Sequence, residues 1–190
     1  MRVLAAPFPF ISYQFSAISY LCCMSSETLI LNSKQVSQRL NRLAWQVYEQ
    51  CSDEREIILA GIGKNGFSLA QRIGKIVESI SPIQVRVTRI ELNKDLPLEH
   101  PISIEVNAQD CRDKTVLVID DVSNSGKTLM YGVKPFLEFP VRSILTLVLV
   151  DRDHNRYPVK TNFVGLSLAT TLQEHISVVL DEKGDSVTLD

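Results

Sequence analysis

Short apolar runs alternate with longer segments of helical periodicity along most of this chain. Continuous apolar runs predict three buried strands, at 57–62, 115–121 and 143–150, and the alternating pattern at 83–92 predicts a further strand. Apolar residues at helical spacing predict three helices, over 33–51, 67–77 and 127–139. Ser33 is the predicted N-cap of the first helix. Strands that alternate with helices form right-handed βαβ units, so the pattern predicts an α/β fold with a mostly parallel central sheet flanked by helices.

The pattern changes near the C-terminus and in one central segment. After Asp151, short strand-like runs at 162–165, 176–180 and 186–189 are separated by polar turns. A polar segment before the third strand contains a weaker strand-like run at 102–106. The chain has 190 residues and no internal repeat. Its length therefore predicts one domain, large enough to bury its own core.

The N-terminal segment, residues 1–23, does not fit this pattern. It carries one basic residue, followed by apolar and aromatic residues that Pro7 and Pro9 interrupt. A secretory signal is one interpretation of such a segment. We favour a second interpretation, in which translation begins at Met24 and residues 1–23 are an extension outside the fold. The single domain then comprises residues 24–190.

Composition and charge exclude some classes of protein. Apolar residues make up 45% of the chain and charged residues 22%, which is ordinary for a globular protein in water. A net charge of −2 gives no general attraction to nucleic acid or to an acidic membrane. The four cysteines form no C-x-x-C pair, which argues against a zinc site and favours reduced thiols in the cytoplasm.

The most informative stretch follows the predicted strand at 115–121. Asp120 and Asp121 stand where this strand ends, and small polar residues lead from there into the next helix. Backbone N–H groups in such a loop, at the start of a helix, favour binding of an anion. The candidate phosphate loop consists of Ser123, Asn124, Ser125, Gly126, Lys127 and Thr128. The stretch therefore combines an anion cradle with two carboxylates that can bind hydroxyls or a metal ion.

A second candidate anion-binding turn follows the strand at 57–62. It consists of Gly61, Ile62, Gly63, Lys64, Asn65 and Gly66. This G-x-G-x-x-G spacing also matches the dinucleotide fingerprint, but that fingerprint needs an acidic residue about 20 positions later, and Glu91 is too distant. The Gly-Lys-Thr at 126–128 is no nucleoside-triphosphate loop, because Asp121 occupies the position of its first glycine.

Two anion-binding turns beside an acidic pair would suit a ligand that has phosphates at both ends and a sugar diol between them. Phosphoribosyl pyrophosphate is such a ligand. The sequence VLVIDDVSNSGKT resembles the signature of type I phosphoribosyltransferases. Other stretches, from ILNSKQVSQRLNRLAWQVYEQ to LVLVDRDHNRYPVKTNFVG, resemble the PyrR-type pyrimidine-operon regulators and uracil phosphoribosyltransferases. The resemblance extends from Leu29 to the C-terminus.

The resemblance implies a role for each motif. Asp120 and Asp121 would bind the ribose 2′ and 3′ hydroxyls, and the loop at 123–128 would bind the 5′-phosphate. Pyrophosphate would bind at the turn 61–66, with help from Lys94 and Arg152. In the family, a mobile loop that includes position 94 covers the site. Magnesium would be held mainly through the substrate, near the acid pair.

The resemblance also implies a smaller lobe, the hood, which holds the base and is built largely from residues 151–190. A strand at 163–165 would lie in this lobe. The chain departs from the family at two places. Lys64 and Asn65 stand where the uracil enzymes carry threonine and arginine, and Asn93 and Lys94 replace tyrosine and arginine.

Three functions follow as hypotheses from the resemblance. The first is a magnesium-dependent enzyme of the cytoplasm that makes UMP from uracil and phosphoribosyl pyrophosphate, as a homodimer or higher homo-oligomer without membrane attachment. A purine-using phosphoribosyltransferase is a close variant. The third is a nucleotide-sensing regulator that binds RNA, although the basic residues are scattered and the net charge is negative.

A protein that starts at Met24 is expected to keep the melting temperature of the full chain and its binding of phosphoribosyl pyrophosphate. The reason is that no residue before Leu29 belongs to the resemblance. Scanning calorimetry with and without the ligand measures both properties. A fall in melting temperature of more than about 5 °C, equivalent to roughly 1 kcal/mol or more at this size, would show that the segment packs on the fold.

Overall fold

The computed structural model describes residues 27–94, 96–97, 99–169, 174–181 and 184–190. The strands are β1 (Thr28–Leu31), β2 (Glu56–Ile62), β3 (Gln84–Glu91), β4 (Ser103–Ile104), β5 (Thr115–Ser123), β6 (Ser143–Asp151), β7 (Phe163–Ser167), β8 (Ile176–Val179) and β9 (Ser186–Leu189). The helices are α1 (Ser33–Gln50), α2 (Gly63–Ile80), α3 (Ala108–Cys111) and α4 (Lys127–Val133), followed by a 3₁₀ helix (Lys134–Glu138). The predicted N-terminal extension, 1–23, lies outside the described residues.

The central sheet has six strands in the order β4-β3-β2-β5-β6-β7. All neighbouring pairs from β3 to β7 are parallel, and only β4 runs antiparallel, beside β3. The strand order reverses between β2 and β5, because β3 lies on one side of β2 while β5, β6 and β7 follow on the other. Ligands of open parallel sheets bind beyond the carboxyl ends of the strands at such a switch point. The predicted α/β architecture is confirmed.

Apolar residues cover both faces of the central sheet. Along β2, Ile57 and Leu59 face a core shared with α1 and α2, whereas Ile58 and Ala60 face a second core. The second core contains Phe136 of the 3₁₀ helix, which is fully buried. Strands covered on both faces need apolar residues at every position, which is why the sequence pattern of β2 and β5 is continuous instead of alternating.

A second, smaller sheet has the order β1-β9-β8 and is antiparallel throughout. It packs its buried side chains, among them Leu31, Ile176 and Val187, against the α1 and α2 core. This sheet combines the first described strand with the last two. In contrast, the prediction that the strand at 163–165 lies in the hood was wrong. That segment is part of β7 and pairs in parallel with β6 at the edge of the central sheet.

Several predicted element boundaries are corrected by the structure. Asn32, and not Ser33, caps α1. Its side chain accepts a hydrogen bond from the backbone N–H of Gln35 at 3.0 Å, and the side chain of Gln35 accepts one from Asn32 N–H at 2.9 Å. The helix predicted over 127–139 ends as an α-helix at Val133 and continues as a 3₁₀ helix, where Pro135 provides no N–H for an α-helical bond.

The predicted anion turn 61–66 is not a separate loop. Gly61 and Ile62 are the last residues of β2, and α2 begins directly at Gly63. Gly63 has a φ of +60°, in the left-handed region that favours glycine. Gly61 and Gly66 are packed so closely against backbone atoms that neither position has room for a side chain. A Cβ on Gly61 would lie 2.4 Å from the carbonyl oxygen of Gly66, and a Cβ on Gly66 would lie 2.6 Å from that of Ile119.

These two close approaches bring the first turn of α2 against the ends of both β2 and β5. The predicted position of Ser123 is also corrected, because Ser123 is the last residue of β5 and not the first residue of a loop. Among the described residues, no helix has both the length and the apolar character needed to cross a membrane.

Gly61→Ala is expected to lower the free energy of unfolding by about 3 kcal/mol, because its Cβ would meet backbone atoms that have no room to move. Gly63→Ala is the matched control. Its Cβ would meet no atom within 4 Å, so its cost is limited to the left-handed backbone, about 1–2 kcal/mol. Denaturant unfolding measures both variants. Equal losses would contradict the packing role of Gly61.

Candidate functional site

An acid pair stands at the carboxyl end of β5, in the middle of the central sheet. Asp120 is 1% exposed and Asp121 is 9% exposed. They are buried because β5 is flanked by β2 on one side and by β6 on the other, in a register that pairs Asp120 with Val148. The carboxylates thus lie at the switch point where a ligand of this sheet is expected.

The acid pair forms one wall of a cavity of about 360 Å³. This volume is within the range of about 300–1,000 Å³ that is typical of small-molecule sites. The other lining residues are Lys94, Val122, Ser123, Asn124, Ser125, Gly126, Lys127, Thr128, Leu129, Arg152, His175 and Ile176. The structure therefore brings the acid pair and all six residues of the candidate phosphate loop into one cavity, as the sequence predicted.

The candidate phosphate loop is supported from behind by the segment that follows β6. The carbonyl oxygen of Ser125 accepts hydrogen bonds from the backbone N–H groups of Arg156 and Tyr157, at 2.9 and 3.1 Å. Gly126 has a φ of +76°, and a Cβ there would lie 2.8 Å from Val159. The loop is held in place by these contacts and by a left-handed glycine.

Two buried oxygen atoms of this cavity have no hydrogen-bond partner among the described residues. They are Oδ2 of Asp120 and Oγ of Ser123. Buried polar atoms are normally paired, and an unpaired one raises the free energy of the folded state. A polar ligand in the cavity can pair both atoms.

Lys94 contributes a cation to the acid pair from the segment after β3. Its Nζ lies 2.9 Å from Oδ1 of Asp120 and 3.4 Å from Oδ1 of Asp121. The side chain of Lys94 is 46% exposed, so the ammonium group reaches the carboxylates from the open side of the cavity. The sequence predicted a cation in this segment but not its pairing with the two acids.

Asn65 contacts the other carboxylate oxygen of Asp121 from the first turn of α2. Its Nδ2 donates to Oδ2 of Asp121 at 2.8 Å and to the backbone carbonyl of Val178 in β8 at 3.1 Å. The side chain of Lys64, one residue earlier, is exposed and lines a different cavity. The side chains of Lys64 and Asn65 in the predicted pyrophosphate turn therefore point to different places: Asn65 contacts the acid pair, and Lys64 lines the second cavity.

The remaining predicted pyrophosphate residues are also divided. Gly63 and Lys64 line a neighbouring cavity of about 460 Å³, together with Arg89 of β3 and His100. Arg152 lines the first cavity, with the phosphate loop. It is only 5% exposed, and its Nη2 donates to the backbone carbonyl of Glu174 at 2.8 Å. Arg152 is thus a buried cation of the site.

The two carboxyl groups have different pKa values although they are adjacent. Burial, and then the charge of Asp121, raises the pKa of Asp120 to about 8. Burial acts on Asp121 in the same direction, but it is outweighed by the hydrogen bond with Asp120 and the charge of Lys94. The pKa of Asp121 is therefore lowered, with a further contribution from the amide of Asn65. The two shifts favour the protonated form of Asp120 and the ionised form of Asp121.

Lys94 stays charged in this arrangement. Burial lowers the pKa of its ammonium group, but attraction to the carboxylates of Asp120 and Asp121 outweighs burial and the net shift is upward. With Lys127 and Arg152, the cavity lining has three basic side chains and two carboxyl groups, of which Asp120 has the raised pKa. This balance favours a ligand with several negative charges.

Three residues of the site had no signal in the local sequence. His175 is exposed and lines the cavity, next to Ile176. Val178 enters the site through its backbone carbonyl. All three belong to β8 or its start. Their spacing is ordinary for an antiparallel strand, so only the arrangement of the small sheet shows their role.

Comparison with known proteins identifies the family. A family profile described as "Phosphoribosyl transferase domain" matches residues 26–183. The chain belongs to this family. Proteins named "Bifunctional protein PyrR" are similar over most of their length. The one from Alkaliphilus metalliredigens is 31% identical over 179 residues, 88% of this chain and 97% of that protein. The one from Bacillus subtilis is 29% identical over 171 residues, 84% and 93% respectively.

Solved phosphoribosyltransferases have the same fold. A hypoxanthine-guanine phosphoribosyltransferase from Bacillus anthracis superposes with a TM-score of 0.63 at 19% identity, covering 76% of this chain and 84% of its own. The hypoxanthine phosphoribosyltransferase of Trypanosoma cruzi gives 0.68 at 15% identity, covering 84% and 95%. The predicted type I fold is confirmed, and the chain is a phosphoribosyltransferase.

The side chains of this phosphoribosyltransferase suit a magnesium ion that is held mainly through substrate. Among the described residues there is no cluster of three or more His, Cys, Asp or Glu side chains that could hold a metal ion. Magnesium usually takes one or two carboxylates together with water and substrate phosphates. Asp120 and Asp121 fit that donor set, and the unpaired Oδ2 of Asp120 is an oxygen available to it.

The raised pKa of Asp120 predicts that this carboxyl group costs stability at high pH. Between about pH 4, the usual carboxyl pKa, and about 8, the unfolded chain releases this proton while the folded protein keeps it. Stability therefore falls as pH rises through this window. Asp120→Asn is expected to stabilise the fold by about 1 kcal/mol or more at pH 8, or about 2–4 °C, with no gain below about pH 4.

Asp121→Asn is the matched comparison and should respond with the opposite sign. Because the pKa of Asp121 is lowered, its ionised form contributes stability above the unfolded pKa, and this contribution is lost as pH falls through the folded pKa. The variant should be destabilised at neutral pH and close to the parent protein in acid. Melting temperatures from about pH 2 to about pH 8 test both variants, because the Asp121 contribution is lost only below the usual carboxyl pKa of about 4. Equal responses would contradict the unequal protonation of the pair.

Proposed function

We propose that this phosphoribosyltransferase converts phosphoribosyl pyrophosphate and a pyrimidine base, most suitably uracil, into UMP and pyrophosphate with the help of Mg²⁺. The observation that carries the proposal is the presence of the acid pair and the candidate phosphate loop in one cavity at the switch point of the sheet. The spacing between a carboxylate pair and an anion loop suits a ribose phosphate, with hydroxyls toward Asp120 and Asp121.

In the proposed reaction, the bond from the ribose anomeric carbon to the diphosphate oxygen breaks, and a bond from that carbon to a base nitrogen forms. The proton on the base nitrogen is released, and pyrophosphate leaves with the electron pair of the broken bond. Positive charge develops on the sugar ring in the transition state. The ionised carboxylate of Asp121, fixed beside the ring, stabilises that charge without reorganisation.

The positions of the candidate phosphate loop and of the basic side chains suggest where the 5′-phosphate and the diphosphate of the substrate bind. The loop Ser123–Thr128 binds the 5′-phosphate, since it is held rigidly behind the cavity and Ser123 Oγ has a hydrogen bond to offer. Lys94 and Arg152 line the same cavity and are assigned to the diphosphate in this proposal. Lys64 and the first turn of α2 flank the site at the end of β2. When bound, magnesium neutralises charge on the departing diphosphate.

Asp120 has a different role from Asp121 in this proposal. Its pKa, raised to about 8, favours the protonated form at neutral pH in the free enzyme. A protonated carboxyl group can donate a hydrogen bond to a ribose hydroxyl, whereas Asp121 can only accept one. Together they can bind two neighbouring hydroxyls as donor and acceptor. Binding of Mg²⁺ beside Asp120 would favour loss of that proton.

The choice of uracil rests on the PyrR-named relatives and on the motif resemblance, because the solved structures at 15–19% identity establish only the fold. The small sheet is the proposed holder of the base, with His175 and Ile176 facing the cavity. We further propose a homodimer or higher homo-oligomer in the cytoplasm, where phosphoribosyl pyrophosphate is available.

The test is a panel of free bases, with uracil, cytosine, hypoxanthine and guanine, each incubated with phosphoribosyl pyrophosphate and Mg²⁺ and assayed for nucleotide. UMP is the expected product. Asp121→Asn should lower kcat/KM by about 100-fold or more, because it removes a preorganised charge. Circular dichroism checks that the variant is folded. Near-normal turnover in the variant would contradict the ribose site, and nucleotide from a purine alone would reassign the base.

A second activity, RNA binding, is worth testing because the relatives are named bifunctional. Binding of a pyrimidine-operon leader RNA, followed across a salt titration, separates specific from electrostatic association. A protein that makes several phosphate contacts loses affinity steeply as salt increases. With a net charge of −2 and scattered basic residues, we expect weak binding at physiological salt.

A further inference from the structure

The amide of Asn65 joins three separate elements of the fold. Its single nitrogen, Nδ2, has two hydrogens and two acceptors: Oδ2 of Asp121 at 2.8 Å and the backbone carbonyl of Val178 at 3.1 Å. Asn65 is in the first turn of α2, Asp121 lies near the carboxyl end of the central strand β5, and Val178 is in β8 of the small sheet. One side chain thus connects Asp121 of the central sheet to Val178 of the small sheet, using one donor hydrogen for each.

The position of this amide is determined by the backbone around it. Gly61 and Gly66 allow the first turn of α2 to approach the end of β5 so closely that a Cβ at either position would overlap backbone atoms. Asn65 lies inside that turn. Its reach to Asp121 is therefore built into the packing of α2 and does not depend on a flexible segment.

The Asp121 carboxylate is consequently held at both oxygens. Oδ1 is paired with Lys94 at 3.4 Å and Oδ2 with Asn65 at 2.8 Å. The contact made by Asn65 is the shorter of the two. Asn65 is also less exposed than Lys94, whose side chain is 46% exposed. A hydrogen bond to a charged acceptor in such a setting contributes more than one between neutral groups.

We propose that Asn65 is a positioning residue that fixes the Asp121 carboxylate relative to the small sheet, and with it the sugar relative to the base. The inference rests on the proposed function, in which Asp121 binds the ribose and the small sheet holds the base. Displacement of reacting groups by about 1 Å can lower a rate about 100-fold. A direct connection between the two binding surfaces is one way to prevent such displacement.

The chain provides a matched structural control. Arg72, further along α2, forms a two-pronged ion pair with Asp185, at 2.7 and 2.6 Å, just before β9. This ion pair joins the same helix to the same small sheet, but no described contact links it to the acid pair. Arg72→Met therefore loosens the same two elements without touching Asp121.

The experiment is a double-mutant cycle of wild type, Asn65→Ala, Asp121→Ala and the double variant. Each protein is measured for kcat/KM with phosphoribosyl pyrophosphate, Mg²⁺ and the preferred base, and for unfolding in denaturant. Asn65→Ala should lower kcat/KM about 10- to 100-fold in the wild-type background, the scale of a hydrogen bond to a charged group. In the Asp121→Ala background the same change should cost less than about twofold, because its target is gone.

Two further variants separate positioning from simple support of the fold. Asn65→Asp keeps the shape but lacks both donors and brings a carboxyl group against Asp121. It should be more damaging than Asn65→Ala when Asp121 is present and no more damaging when Asp121 is absent. Arg72→Met should lower the denaturation midpoint while changing kcat/KM by the same factor in both backgrounds.

The outcomes distinguish the inference from the proposed function. Active wild-type enzyme with equal Asn65→Ala losses in both backgrounds overturns the role of Asn65 and leaves the function intact. A cycle that shows no coupling in unfolding also overturns the Asn65 connection, whether or not nucleotide is formed. Wild-type protein that makes no nucleotide from any base overturns the proposed function, and the positioning role with it.

Discussion

Burial of two adjacent carboxyl groups is the constraint to which the rest of the site responds. Asp120 and Asp121 are almost completely removed from water at the end of the central strand. Two ionised carboxylates so close together in a medium of low polarity would repel strongly. Three features reduce this repulsion: the raised pKa of Asp120 favours its neutral form, the Lys94 ammonium lies within 3.4 Å of both carboxyl groups, and Asn65 donates to Asp121.

Backbone geometry makes these responses possible. The first turn of α2 can approach β5 only because Gly61 and Gly66 lack side chains. Gly126 has the corresponding role at the phosphate loop, where a left-handed backbone brings the loop against Val159. In both places a chain reversal directly after a buried strand is packed against a neighbouring segment. The polar groups of the site are therefore fixed by packing and not by polar contacts alone.

Local sequence was sufficient for the central strands and for the acid pair with its loop. Continuous apolar runs such as the one in β5 indicate strands covered on both faces, and the polar residues that end such a strand must lie at the edge of the sheet. Contacts between distant segments left no such signal. Asn65 and Asp121 are 56 residues apart, and Asn65 and Val178 are 113 apart. No periodicity relates positions at these separations.

Some local errors have a common cause, which is competition between neighbouring residues of similar propensity. Asn32 and Ser33 are both good N-caps, and the reciprocal bond with Gln35 decides in favour of Asn32. The strand β7 was placed in the wrong sheet because a short apolar run does not specify its partner. Its pairing with β6 depends on the crossover after β6, in which Asn162 accepts a hydrogen bond from Thr146 N–H.

At position 65, where the resemblance to the uracil enzymes implies an arginine, this chain places a neutral amide against Asp121. An arginine there would add a second cation beside a carboxylate that Lys94 already pairs. The amide of Asn65 instead supplies two neutral donors and no charge, and it is short enough to contact Asp121 and the Val178 carbonyl at once. Lys94 supplies the cation to Asp121, and Asn65 supplies hydrogen-bond donors without adding charge. The residues at 65 and 94 are therefore best understood as one arrangement around a single ionised carboxylate.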